Sequence, residues 1–124
     1  MQLKGTFQIT DWKESEEKLF DDGGKLTTAT ISQDYSGEII GKSELKYQMY
    51  YAPNGDASFV GFEVIVGTID DKPCELTLKH DGGFEAGIAK SHFTILNTSS
   101  DKKLVGMKGY FESGEGGQAN FVMG

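Results

Sequence analysis

The chain has 124 residues, 19 of them acidic and 12 basic, for a net charge of −7. That length suits one domain with its own core, and residues 1–124 are read as a single unit. Its charge repels phosphate backbones and anionic bilayers, so nucleic acid and membrane surfaces are not expected partners.

The first 20 residues show no apolar run after a basic start, and no stretch reaches the length of a membrane span. Cys74 is the only cysteine and has no internal disulfide partner. It reads as a small buried hydrophobe in a reducing compartment. The expected location is cytoplasmic. Seventeen glycines and two prolines, among many Thr, Tyr, Phe and Val, suit strands joined by tight turns.

Period-two alternation dominates the chain. Leu3, Gly5, Phe7 and Ile9 alternate with Gln2, Lys4, Thr6 and Gln8, predicting a first strand over Gln2–Trp12. Residues 13–24 are the most polar part and read as a solvated connection. A second strand follows over Lys25–Tyr35, and Ser36-Gly37 turns it. The third, Glu38–Tyr51, places Leu45, Tyr47 and Met49 on one face and Lys42, Glu44 and Lys46 on the other. Pro53-Asn54-Gly55-Asp56 is a hairpin signal.

The fourth strand, Ala57–Ile69, is apolar on both faces. Asp70–Pro73 turns into a fifth over Cys74–Phe84, and Glu85-Ala86 into a sixth over Gly87–Asn97. After a loop at 98–101, Lys103–Glu112 forms the seventh. Gly114–Gly117 leads to the eighth, Gln118–Met123. Short connections force antiparallel neighbours, hence a meander. Closing eight strands removes the exposed edges and leaves an interior filled by side chains or one small ligand. The expected fold is all-β, a closed eight-stranded antiparallel meander barrel. A β-sandwich is the alternative.

Five segments in order carry a family resemblance: 5–14 (GTFQITDWKE), 35–41 (YSGEIIG), 58–63 (SFVGFE), 78–84 (LKHDGGF) and 104–109 (LVGMKG). With them the chain resembles a bacterial family of unknown function that shares the allene oxide cyclase-like barrel, a lipocalin-like closed form. The resemblance implies that barrel and no activity.

Turn lengths predict registers. A two-residue loop at Asp71-Lys72 sets Glu63 opposite His80. One at Glu85-Ala86 sets His80 opposite Ser91. A three-residue loop after Pro53 sets Tyr47 opposite Glu63. Tyr47, Glu63, His80 and Ser91 then form one inward row across four strands. Such a row serves as a mutually satisfied buried network, as a polar spot that orients a ligand, or as a Glu63–His80 acid–base pair for isomerase- or cyclase-like proton transfer. Whether the protein is an enzyme is left open.

The aromatic residues either fill the core or wall an apolar pocket at one mouth. His92 adjoins Ser91 and faces out, so the two histidines make no metal pair. No nucleotide, flavin or metal spacing occurs, and no cofactor is expected. Val60, Phe62, Val64 and Val66 form an outward apolar stripe on the fourth strand, which predicts a homo-oligomer, a dimer first. Three functions follow: a barrel binding a small apolar ligand, the Glu–His enzyme, or an oligomeric interaction module with a filled interior.

Overall fold

The structure, a computed structural model, describes residues 2–124. It is all-β: β1 (Leu3–Leu19), β2 (Lys25–Gly37), β3 (Ile39–Tyr51), β4 (Ala57–Ile69), β5 (Lys72–Glu85), β6 (Ile88–Thr98), β7 (Lys108–Ser113) and β8 (Gln118–Met123). Every neighbouring pair is antiparallel. The strand order is cyclic, because β8 returns to β1 from Leu3↔Met123 to Gln8↔Gln118. One sheet thus closes on itself, without the split into two sheets that a sandwich needs.

Alternation predicts the faces of the strands well. Leu45, Ile65, Leu78 and Phe93 are all buried, while Lys42, Glu44, Lys46, Glu75 and Lys79 are exposed. The interior also takes Phe7, Ile31, Phe59, Ile95, Phe111 and Phe121. Cys74 is buried, with its sulfur 3.2 Å from Ser100 Oγ, in keeping with a small packed side chain.

Three boundaries differ from the sequence expectation. β1 does not stop at Trp12; residues 13–19 continue as strand and pair with β2 as far as Leu19↔Lys25. All of residues 11–19 are exposed. With both faces in water, no alternation marks them as a strand. Beyond Gln8 this part of β1 has no partner on its other side, and its run of charged residues blunts the free edge. At the seventh strand, residues 102–104 form a 3-10 turn capped by the Asp101 side chain. Leu104 buries itself there, and β7 begins only at Lys108. The second and third strands are separated only by Glu38, which follows Gly37, whose φ of 101° only glycine adopts readily.

Each predicted register is displaced by two residues. The β4–β5 turn is Asp70-Asp71 (φ 51° and 61°), not Asp71-Lys72, and Glu63 pairs with Leu78. The β5–β6 turn is Ala86-Gly87 (φ 52° and 83°), so His80 pairs with Phe93. The β3–β4 loop runs from Ala52 to Asp56, so Tyr47 pairs with Gly61 and Glu63 with Leu45. Two consecutive positive φ values mark the hairpin geometry whose twist matches that of the strands. A shift of two keeps every side chain on its face, whereas a shift of one reverses it. The predicted inward set is therefore retained although its straight row is not.

Candidate functional site: a buried polar chain beneath an apolar cavity

Five consecutive strands contribute to one buried polar chain: Tyr35 on β2, Ser43 on β3, Glu63 on β4, His80 on β5 and Ser91 on β6. Glu63 is 1% exposed and central. Its Oε2 accepts from the Tyr35 hydroxyl at 2.7 Å and from Ser43 Oγ at 2.6 Å. Its Oε1 lies 2.6 Å from His80 Nε2. The other ring nitrogen, Nδ1, is 3.3 Å from Ser91 Oγ. Ser91 gives its own proton to the His92 carbonyl at 3.1 Å, so it presents a lone pair to the ring. Among the described residues no sealed side-chain nitrogen or oxygen lacks a partner. A dry interior tolerates such groups only on those terms.

The expected set is thus partly assembled. Glu63, His80 and Ser91 come together. Tyr47 does not bond the carboxylate; its ring meets the His80 ring edge-on at 5.7 Å. Sequence reasoning missed Tyr35 and Ser43. Both stand at inward positions of their strands, so the alternation marked their faces. It could not show that the carboxylate reaches its polar neighbours diagonally. Glu63 lies directly opposite Leu45 and Leu78, while Ser43 and His80 sit two residues away along their strands. Diagonal neighbours are within reach of long side chains in a sheet.

Gly61 makes this diagonal arrangement possible. It faces inward between Tyr47 and His80. A Cβ there would collide with the Lys46 carbonyl and stand 2.9 Å from the Tyr47 ring. Its absence lets the two rings meet across β4.

Burial, and then the charge of Glu63, push the hydroxyls of Tyr35 and Tyr47 well above the ordinary tyrosine range. Both are neutral donors at any physiological pH. Phe93 and Phe111 enclose the remaining sides of His80, with ring centroids at 5.2 and 5.7 Å.

Above the chain lies a cavity of about 240 Å³. It opens toward the end that carries the β3–β4, β5–β6 and β7–β8 turns. Its wall is apolar, from Met49, Phe59, Phe84 and Phe111, with Trp12 and Tyr51 at the rim. Tyr47 lines it; Glu63, His80 and Ser91 do not. The aromatic layer of Phe7, Tyr47 and Phe111 separates the two features.

At the rim, Glu14 gathers three donors. Thr27 Oγ1 is 2.6 Å away, the Tyr51 hydroxyl 2.7 Å and Trp12 Nε1 2.9 Å. Partial burial raises the Glu14 pKa. The bonds from Thr27, Tyr51 and Trp12, together with the Lys25 charge, outweigh it and leave the net shift downward. The Tyr51 hydroxyl is pushed up by burial and by its bond to Glu14. This cluster fastens the overhanging part of β1 to β3. Residues 13–24, expected to be only a connection, thus contribute to the mouth. The signal available in the sequence was a carboxylate two residues after a lone tryptophan.

The remaining sequence expectations fall as follows. His92 faces out and stacks on Tyr110 at 5.1 Å. Among the described residues no cluster of His, Cys, Asp or Glu has the makings of a metal site. No helix among them is long and apolar enough to cross a membrane. Val60, Phe62, Val64 and Val66 are exposed, Phe62 at 58%.

A cyclic antiparallel sheet with a buried carboxylate–imidazole pair and an apolar cavity defines the class of protein. Within that class, the chain belongs to the family described as "Protein of unknown function (DUF3224)", whose profile matches residues 3–123. A crystal structure of a protein of unknown function from the same family, from Shewanella oneidensis MR-1, superposes with a TM-score of 0.68 at 22% identity. The match covers 99% of this chain and 94% of that one. A beta-barrel like protein from Acinetobacter baumannii AYE superposes at 0.70 with 14% identity, covering 99% and 90%. At such identities the likeness establishes the fold alone. No curated protein matches the sequence.

Proposed function

We propose that the protein binds one small, largely apolar molecule in the cavity at the turn end of a closed, allene oxide cyclase-like barrel. The observation that carries this reading is the cavity itself: about 240 Å³, walled by aromatic side chains and open at one end. That is room for about eight waters' worth of volume, in a wall that offers water few partners. Concave apolar sites with a few polar groups are where small ligands bind. Of the four residues expected to hold the ligand, Tyr47 touches it. Glu63, His80 and Ser91 act from beneath, by holding the aromatic floor.

The test is native mass spectrometry of the protein purified gently from the cells that make it. A bound small molecule is expected on the native chain and absent from Ala119→Leu, which fills the cavity. Equal adducts on both proteins would reject the site.

A second reading makes the Glu63–His80 pair an acid–base catalyst. It rests on their 2.6 Å contact and requires the aromatic layer of Tyr47 and Phe111 to move aside so that the pair reaches the ligand. On this reading Glu63→Gln retains the ligand of the native protein and stops its turnover. Conversion of that ligand at the native rate by Glu63→Gln would exclude it.

The outward stripe of β4 supports self-association. Lys42 and Glu75 flank Val66 on opposite sides, so a second copy turned about the strand direction brings opposite charges together. A dimer is expected by light scattering at micromolar concentration, dissociated by Phe62→Lys; a monomeric native protein would end that reading.

A further inference from the structure

One polar side chain of the proposed cavity keeps an unused donor among the described residues. Tyr47 lines it and is 5% exposed. Among the described residues its hydroxyl has no hydrogen-bond partner, in contrast to Tyr35, whose hydroxyl is taken by Glu63. Yet no sealed buried oxygen among those residues lacks a partner. The Tyr47 hydroxyl is therefore not sealed: it borders open space, and the space that Tyr47 lines is the cavity. Gln33 lines it as well, but also an outer depression. Ser43 gives its single proton to Glu63, so its 3.5 Å contact with the Gln33 amide takes the amide nitrogen as donor.

The unused Tyr47 hydroxyl is a hydrogen-bond donor. A buried donor without an acceptor is costly, so a ligand that supplies one gains by doing so. The electrostatics narrow the choice further. The charge of Glu63 is felt at Tyr47. A second anion at that place would be repelled, as would one passing the Glu14 carboxylate at the rim.

Resting on the binding reading above, we infer that the ligand is a neutral molecule with an apolar body and one acceptor oxygen, a ketone, aldehyde or ester carbonyl, directed at the Tyr47 hydroxyl. Carboxylic acids in their ionised form are the disfavoured class. The body packs against Phe59, Phe84 and Phe111.

Two probes of nearly the same shape separate the polar contribution from the apolar one. Acetophenone carries a C=O where α-methylstyrene carries a C=CH2. The ketone loses more on leaving water, so the comparison is made between proteins for each probe. Binding is read by chemical-shift titration on the native chain, Tyr47→Phe and Gln33→Leu. Since the Tyr47 hydroxyl has no partner among the described residues, Tyr47→Phe retains the fold, and its melting temperature should match that of the native chain.

Tyr47→Phe is expected to weaken acetophenone by about three- to tenfold, the range of one hydrogen bond. It should leave α-methylstyrene within about twofold, and Gln33→Leu, which removes no free donor, should leave both probes within about twofold. If both probes bind and Tyr47→Phe does not alter the ketone selectively, the acceptor-directed inference is wrong and the binding reading stands. If neither probe shifts cavity resonances, the binding reading falls, and this inference with it.

Discussion

A buried carboxylate with three donors is held by all of them at once. Glu63 accepts from Tyr35, Ser43 and His80, and its loss strands the others. Leaving buried donors without their acceptor costs about 1–3 kcal/mol each. Glu63→Gln should therefore destabilise the protein by about 3 kcal/mol in urea unfolding. In Glu63→Leu the buried Tyr35 and Ser43 hydroxyls lose their acceptor as well, so it should lose more than Glu63→Gln; an equal loss would show that those two bonds add nothing. Gly61 is the other residue on which this arrangement depends. Gly61→Ala puts a methyl group against the Lys46 carbonyl and the Tyr47 ring. Overpacking of this kind costs about 1–3 kcal/mol. Calorimetry should show the corresponding drop in Tm, and a native-like Tm would mean that β3 and β4 separate easily.

Among the elements, the overhanging part of β1 stands apart because it pairs on one side only. Glu14 ties it to Thr27 on β2 and Tyr51 on β3. The Glu14 pKa lies below the ordinary carboxylate value of 4.5. A depressed carboxylate contributes stability that is complete above the unfolded-state value and lost as pH falls through the folded one. The rim should thus loosen only below about pH 4.5. Trp12 is the sole tryptophan and donates to Glu14, so its fluorescence should report that step. In Glu14→Gln the acid step should vanish, because the side chain no longer titrates. An unchanged step would place its origin elsewhere.

At the scale of the whole molecule, Tyr35 and Tyr47 make stability depend on alkaline pH. Their hydroxyls titrate far above the ordinary value of 10.0 while folded. Above pH 10 an unfolded chain releases those protons and the folded one retains them, so the native state weakens as pH rises. Phenolate absorbance from these two should therefore appear together with the loss of β-sheet circular dichroism. In Tyr35→Phe/Tyr47→Phe the absorbance gained at unfolding should fall by the contribution of two tyrosines. A rise in absorbance from either residue well before unfolding would contradict their burial.

Much of this architecture was legible because a strand's faces are a local property. Leu45, Tyr47 and Met49 alternate with Lys46 and Gln48, and no tertiary knowledge is needed to tell inside from outside. The polar interior residues were legible for the same reason: Glu63, His80 and Ser91 occupy inward positions of otherwise apolar faces. Residues 13–19 were not, since a strand wet on both faces leaves no pattern. Which polar groups meet was decided only in three dimensions. Turns that differ by two residues satisfy the same alternation, so the chain pattern permits several registers with identical faces. A diagonal contact then gives the Glu63 carboxylate to Ser43, and Tyr35, instead of Tyr47, reaches it from β2 past Gly41. The cavity belongs wholly to the tertiary structure. It is the volume left over when side chains from all eight strands converge on one axis, and no single strand carries that information.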